Sequence, residues 1–586
     1  MGVECAWRQS AVRCVLDGRY FCRAGGILAA SLAALLAACS EPQQSEAIQE
    51  PNSQLAVVET ETSEIAETES PDMADEVTEQ QSVLYNLDAE PATQQIEAPA
   101  PAPEQTDVVM QGREFGMSDI VDKARRLAAS EFQPSPALPD DAKAMDYDQY
   151  RRILPAEPDM GWPEDKGRYR FLFDPRGYLF NHEVKINMVN GADVTPKTYD
   201  PDLFDFKDLP LSKNTRQALG FAGVRLLAPI NRSGKFDEVL SFKGASFFRA
   251  LGAGNVYGAS ARGLGLGTAS PEGEEFPFFK EFWIIHPDTA DDQVEMFALM
   301  DSPSVTGAFR FLVTTGQTTR MDVEATFFPR KEIQRVGLSP LTSMYYFSPH
   351  DVIKQATDYR SAVHDSEGLA VHMANGEWAW RPLLNPAELE VSVLTEHQPK
   401  GFGLLQRHRK FDDFSDLEAG YHQRPDVWIE PTGEWGEGHL MLVEIPTINE
   451  YNDNIAVFWR PKNSWRAGEA KTISYTMNWG LKPSVMPQVV SVSETRAGKK
   501  PGEKRYLFVL DYDEAPAEYF DDTELEITAS AGEILNPILR KHPDDDGYRL
   551  SFELDPAGAS MAELRAVVHK GDAPLTETWL YRWRAK

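Results

Sequence analysis

Residues 294–315 read VEMFALMDSPSVTGAFRFLVTT. Two apolar-rich runs, 294–300 and 308–315, flank a polar stretch that holds Asp301, Pro303 and Gly307. Alternation with a period of two, bounded by turn residues, predicts strands. The same pattern recurs outward from this point: YRFLF at 169–173, HEVKINMV at 182–189, VRLLAPI at 224–230 and FWIIHP at 282–287. Helical periodicity is scarce from Tyr150 to about Gly480, so this region is expected to be one large all-β domain, residues 113–480. One helix is expected at its start, capped by Ser118, with Ile120, Val121, Ala124, Leu127 and Ala128 at helical spacing.

Residues 481–487, LKPSVMP, read as a linker. Beyond them, residues 488–586 hold six or seven further strand patterns, among them RYLFVLDY, YRLSFEL and TWLYRWR. That number of strands in about 100 residues is the size of an immunoglobulin-like sandwich.

Residues 1–39 read as an export signal. Arg19 and Arg23 precede the apolar stretch GGILAASLAALLAA, and Leu36-Ala37-Ala38-Cys39 looks like a lipobox. Cys39 is then the lipidated residue, and Ser40 after it favours the outer membrane. The alternative is a simple secretory signal with a chance cysteine. Residues 40–112 are rich in Glu, Gln, Ala and Pro, with seventeen acidic residues and no Lys or Arg. Such a segment cannot bury enough apolar surface to offset its backbone entropy, so a disordered tether is expected.

The formal charge of −33 argues against nucleic acid or an anionic membrane surface as the main partner. All four cysteines lie in the first 39 residues, which removes disulfide, thiol and thiolate-metal chemistry from the rest of the chain. No pair among the 11 histidines has HExxH or HxH spacing, so neither a catalytic metal nor a cofactor is expected. Residues 252–258 carry one residue too many for a dinucleotide fingerprint, and Gly258-Ala-Ser-Ala-Arg262 fails as a nucleophile elbow at its last position.

What remains is a series of blocks in which Trp, Tyr, Phe, Arg, Asp and Glu interleave. They include FKGASFFRALG (242–252), DSPSVTGAFRF (301–311), PLTSM (340–344), GEWAWRPLLNP (376–386) and the long run 401–438. Aromatic faces stack on sugar rings while the polar groups bond hydroxyls; the same residues also pack well in the core of a large sandwich.

In order and wording these blocks resemble the periplasmic glucan biosynthesis family, proteins G and D. The resemblance runs from about Phe115 to Trp479, and more weakly to the C-terminus. It implies a galactose-mutarotase-like N-terminal β-sandwich followed by an immunoglobulin-like domain. It also implies a role in osmoregulated periplasmic glucans, whose backbone is β-1,2-linked glucose. The D branch looks like inverting endo-β-1,2-glucanases, which need a protonated acid and a base on opposite faces of the sugar. By this resemblance Asp453, in Asn452-Asp-Asn454, matches the general acid and Asp365, in His364-Asp-Ser366, the base. Read without the family, Asp453 is a turn residue and Asp365 an Asx-turn residue or a partner of His364. Glu377, Trp378, Trp380, Arg381, Arg407, Arg409, Trp428 and Trp435 are candidate sugar contacts.

The sequence departs from the family at Ile285, His408 and Lys410, where acidic residues are usual, and in its lipobox and tether. An inner-membrane glucan synthase and a homodimer are the protein partners implied. A non-catalytic glucan-binding scaffold is the competing reading, and a glucan transferase a third.

Overall fold

The computed structural model describes residues 114–585, apart from 165–166, 288–291, 352–357, 500–501, 517–518 and 544–545. The signal, Cys39 and the 40–112 tether therefore lie outside the described residues.

The architecture is all-β, built on two large sheets packed face to face. Residues 294–314 lie in the hairpin Gln293–Asp301 and Val305–Thr314, with Met296 opposite Phe311 and Ala298 opposite Phe309. Thr319–Pro329 and Lys471–Gly480 continue this sheet on one side, and Phe278–Ile285 on the other. The second layer carries Phe221–Arg232, Lys235–Lys243, Phe247–Ala250, Ser260–Arg262, Val336–Ser343, Ile455–Pro461 and Gly438–Glu444 in spatial order. Phe242 of this layer meets Phe279, Phe282 and Phe311 of the first at ring separations of 5.6, 5.1 and 5.0 Å. Phenylalanines on inward-facing positions of both sheets thus form the main core.

The outer face of the first sheet is covered by the helix Met117–Ala128, which buries Ile120 and Ala124 against Trp283, Phe297, Leu299 and Phe328. The helix begins one residue before Ser118. Gly116, not Ser118, is its N-cap, and the Asp119 carboxylate accepts the Gly116 amide at 2.9 Å.

Residues 481–487 fall in irregular chain between the strands Lys471–Gly480 and Val492–Lys499. The C-terminal strands form a second sandwich. Val492–Lys499, Tyr506–Tyr512, Tyr548–Asp555 and Glu533–Lys541 make a four-stranded sheet. Glu524–Ala529, Met561–Lys570 and Thr578–Arg584 face it across Phe508, Phe552, Trp579 and Trp583. These three strands do not stand apart from the large sandwich. Thr578–Arg584 runs parallel beside Trp378–Pro382, with Trp579 opposite Trp380, so one sheet extends through both bodies.

Candidate functional site

Three consecutive residues at the end of the strand Val336–Ser343 draw the two singled-out aspartates together. The Ser343 carbonyl accepts the Asn454 amide at 3.0 Å, and the Met344 carbonyl accepts the Asp365 amide at 2.8 Å. The Tyr345 amide donates to Asn454 Oδ1 at 2.8 Å, while Asn454 Nδ2 donates to the Ile445 carbonyl at 3.0 Å. Asn454 is 2% exposed and fully engaged, so its neighbour Asp453 is held in place by backbone. Ser343 Oγ fixes the other side by donating to Ser366 Oγ at 2.8 Å.

The Asp453 carboxylate accepts from the hydroxyls of Ser260 and Thr342, both at 3.2 Å, and these two hydroxyls lie 2.6 Å apart. Arg249 Nη2 lies 3.8 Å from the same oxygen. Asp365 lies 3.5 Å from Arg424 Nε. Burial pushes the Asp365 carboxyl up to about 6; Arg424 and Arg249 oppose this, and the negative charges of Asp453 and Glu450 add to it. His364 is fully buried, stacked on Tyr345 and edge-on to Phe414, and burial lowers it to about 3. It is a packed, neutral ring at physiological pH.

Three loops near Asp365 are fastened by one side chain. Arg360 pairs with Asp358 at 2.8 Å, Asp416 at 2.9 Å and Glu450 at 2.7 Å. Glu450 also accepts from the Tyr421 hydroxyl at 3.2 Å, and the Tyr421 ring lies 5.4 Å from the Arg424 guanidinium. Arg409 bonds Asp426 at 2.6 Å and donates to the Arg424 carbonyl, so it positions the backbone of the cation that faces Asp365. Tyr359, Leu417, Ile448 and Tyr451 stand exposed on these same loops.

The remaining predicted sugar contacts are engaged with the protein itself. Trp380 is 1% exposed and lies under the Arg407 guanidinium at 3.6 Å. Arg407 pairs with Glu577 at 2.8 Å, and Glu377 accepts from Thr578 and Arg565. Trp378 is stacked between His372 and Trp428, and Arg381 is paired with buried Glu444. Trp435 lies in the main core, its indole donating to the Ser474 carbonyl. Most of this group forms the joint between the two sandwiches, and of the eight only Arg409 touches the neighbourhood of Asp365.

Sequence reading missed Arg249, Ser260, Thr342, Arg360, Arg424 and Glu450 as parts of the site. Ser260 and Thr342 stand 193 and 111 residues from Asp453, a distance that no local pattern spans. Among the described residues no group of three or more His, Cys, Asp or Glu is placed to hold a metal ion. No helix among them is long and apolar enough to cross a membrane.

The family described as "Periplasmic glucan biosynthesis protein, MdoG" matches residues 115–583. Glucans biosynthesis protein G of Vibrio cholerae serotype O1 is 43% identical over 474 residues, covering 80% of this chain and 87% of that protein. Glucans biosynthesis protein G of Shewanella frigidimarina is 41% identical, covering 80% of this chain and 84% of that protein. Among solved structures, a GalM/aldose epimerase homologue from C. elegans is 12% identical and covers 44% of this chain and 95% of that one. Its TM-score of 0.17 is too low to bear on the fold.

Proposed function

The chain belongs to the periplasmic glucan biosynthesis protein family, and from that premise we propose that it is an inverting endo-β-1,2-glucanase that trims the backbone of osmoregulated periplasmic glucans. The observation that supports this is the pair Asp365 and Asp453, held on neighbouring backbone anchors at the end of one strand. Asp453 donates its proton to the glycosidic oxygen as the C1–O bond breaks. Asp365 takes a proton from the water that forms the new C1–OH on the opposite face. A base must be ionised at working pH yet basic enough to accept a proton, and a carboxyl at about 6 meets both needs. The Ser260 and Thr342 hydroxyls donate or accept by rotation, so they serve Asp453 in both protonation states.

The test is incubation with linear β-1,2-glucan followed by product chromatography. Asp453→Asn is expected to lose roughly 10²–10⁴-fold of the wild-type rate while keeping glucan binding. On a glucoside with an activated aryl leaving group, which needs little acid help, Asp453→Asn retains most activity and Asp365→Asn does not. The reverse pattern overturns the assignment of roles. Absence of any product from the wild-type chain overturns the hydrolase.

A second reading is a non-catalytic glucan-binding scaffold that assists backbone synthesis, export or branching. The name of the relatives favours it, since "glucans biosynthesis protein G" speaks of synthesis and not of cleavage. In that role the chain works beside an inner-membrane glucan synthase, with a homodimer as a further expectation. Lipid attachment through Cys39, with placement at the outer membrane, completes the proposal. It predicts that Cys39→Ala moves the protein from the membrane fraction to the soluble one; a wild type already in the soluble fraction refutes the anchor.

A further inference from the structure

A cavity of about 650 Å³ lies at the joint of the two sandwiches, and neither Asp365 nor Asp453 lines it. That volume is within the range of ligand clefts, roughly 300–1,000 Å³. One wall is the 407–413 segment of the large sandwich; the other is the four-stranded C-terminal sheet.

The wall chemistry is highly polar but largely paired. On the C-terminal side Arg549 grips Asp511 with two bonds, at 2.6 and 2.7 Å, and Arg496 joins the same carboxylate at 3.2 Å. On the other side Arg407 is paired with Glu577 and His408 with Glu367. Apart from Lys410, the cations of this lining are held by carboxylates that an anionic ligand would have to displace. A ligand that donates and accepts at every position, with no charge of its own, instead finds fixed N–H groups and carboxylate oxygens side by side. Tyr548, partly exposed, adds aromatic surface to the lining. Uncharged, hydroxyl-rich sugar meets that description.

We propose that this cavity is a second glucan-binding site, taking a short stretch of neutral β-glucan apart from the stretch held at Asp365 and Asp453. The inference rests on the glucan reading above. It has a physical route to the first site. Ser361 and Ala362 line the cavity, and the same segment passes through Val363–His364 to Asp365.

The experiment is calorimetric titration of the full chain carrying Asp453→Asn, which prevents turnover, with linear β-1,2-gluco-oligosaccharides. Two classes of site are expected. Ser493→Trp, which fills the cavity from the C-terminal wall, removes one class and leaves the other unchanged. His542→Ala, a milder change on the same wall, weakens that class about tenfold and decides the matter if the tryptophan variant does not fold. A single class of site that neither variant alters overturns the second site and leaves the proposed function standing. Millimolar inorganic phosphate that displaces glucan from the cavity class overturns the neutral-sugar assignment. No glucan binding at all overturns both readings together.

Discussion

Arg424 Nε lies 3.5 Å from Asp365 Oδ1, and this guanidinium is the main opponent of the burial that lifts the Asp365 carboxyl to about 6. Removing the cation with Arg424→Gln leaves only the weaker opposition of Arg249 against burial, Asp453 and Glu450. The Asp365 pKa then rises. In the proposed hydrolysis Asp365 is the base and works only when deprotonated, so wild-type activity is expected to fall as pH drops through about 6. In Arg424→Gln this acidic limb moves to higher pH, by roughly a unit for a lost neighbouring cation. A pH–rate profile measures it. A limb that stays in place shows that Asp365 is not the titrating group.

Arg360 fastens three loops through Asp358, Asp416 and Glu450. Arg360→Ala leaves three part-buried carboxylates facing one another without a cation. The loops are expected to separate while the main core, which does not include them, stays folded. Turnover of glucan should fall by about 10–100-fold, the scale of a lost positioning contact. Arg360→Lys keeps the charge but not the fork and should recover only part of the loss. Circular dichroism and kinetics on the same samples separate loss of positioning from loss of fold. Unchanged turnover in Arg360→Ala removes the loops from the site.

Glu367 Oε2 accepts from the His408 ring at 2.9 Å and from the Arg407 and His408 amides at 3.1 and 3.2 Å. Burial alone would lower His408 and raise Glu367. The charge each offers the other outweighs burial and leaves His408 at about 9 and Glu367 at about 2. The histidine contribution is present below its ordinary 6.5 and disappears as pH rises through about 9. The glutamate contribution is present above its ordinary 4.5 and disappears as pH falls through about 2. The pair therefore stabilises most between pH 4.5 and 6.5. His408→Gln should cost about 3–5 kcal/mol in that window, since it strands a buried charge, and much less above pH 9. Denaturant unfolding at several pH values tests this, and a pH-independent loss refutes it.

Trp380 is 1% exposed, stacked under Arg407 and opposite Trp579. Trp380→Ala is expected to lower unfolding free energy by about 3–5 kcal/mol. Glucan affinity of the fraction that remains folded should change little. A large loss of affinity with stability intact would make Trp380 a sugar contact.

The strands at 294–315 were legible because their information is local: alternation and turn residues suffice. Asp365 and Asp453 were singled out only through resemblance to a family, since each alone reads as a loop aspartate. Their hydroxyl and guanidinium partners were not legible, because long-range pairing across two sheets leaves no periodic trace. The tryptophans and arginines at 377–381, 407–409 and 428 show a different limit. Period-two alternation says that Trp378 and Trp380 share one face, but not what covers it. Composition is the same whether a second sandwich or a sugar lies there. In the structure much of that cover is supplied by a strand about 200 residues further on, where Thr578 bonds Glu377 across a separation of 201.

That late partner sets an order of events in time. As the chain emerges N-terminus first, Gly368–His372 can pair with one side of Trp378–Pro382, but the other side waits for Thr578–Arg584. Until the last residues arrive, a tryptophan-rich strand presents a bare hydrogen-bonding edge, the feature that recruits foreign strands. The C-terminal sandwich thus acts as the closing clasp of the larger one. A chain ending at Gly480 should self-associate in light scattering, and a monomeric, soluble truncation would show that the edge closes without it.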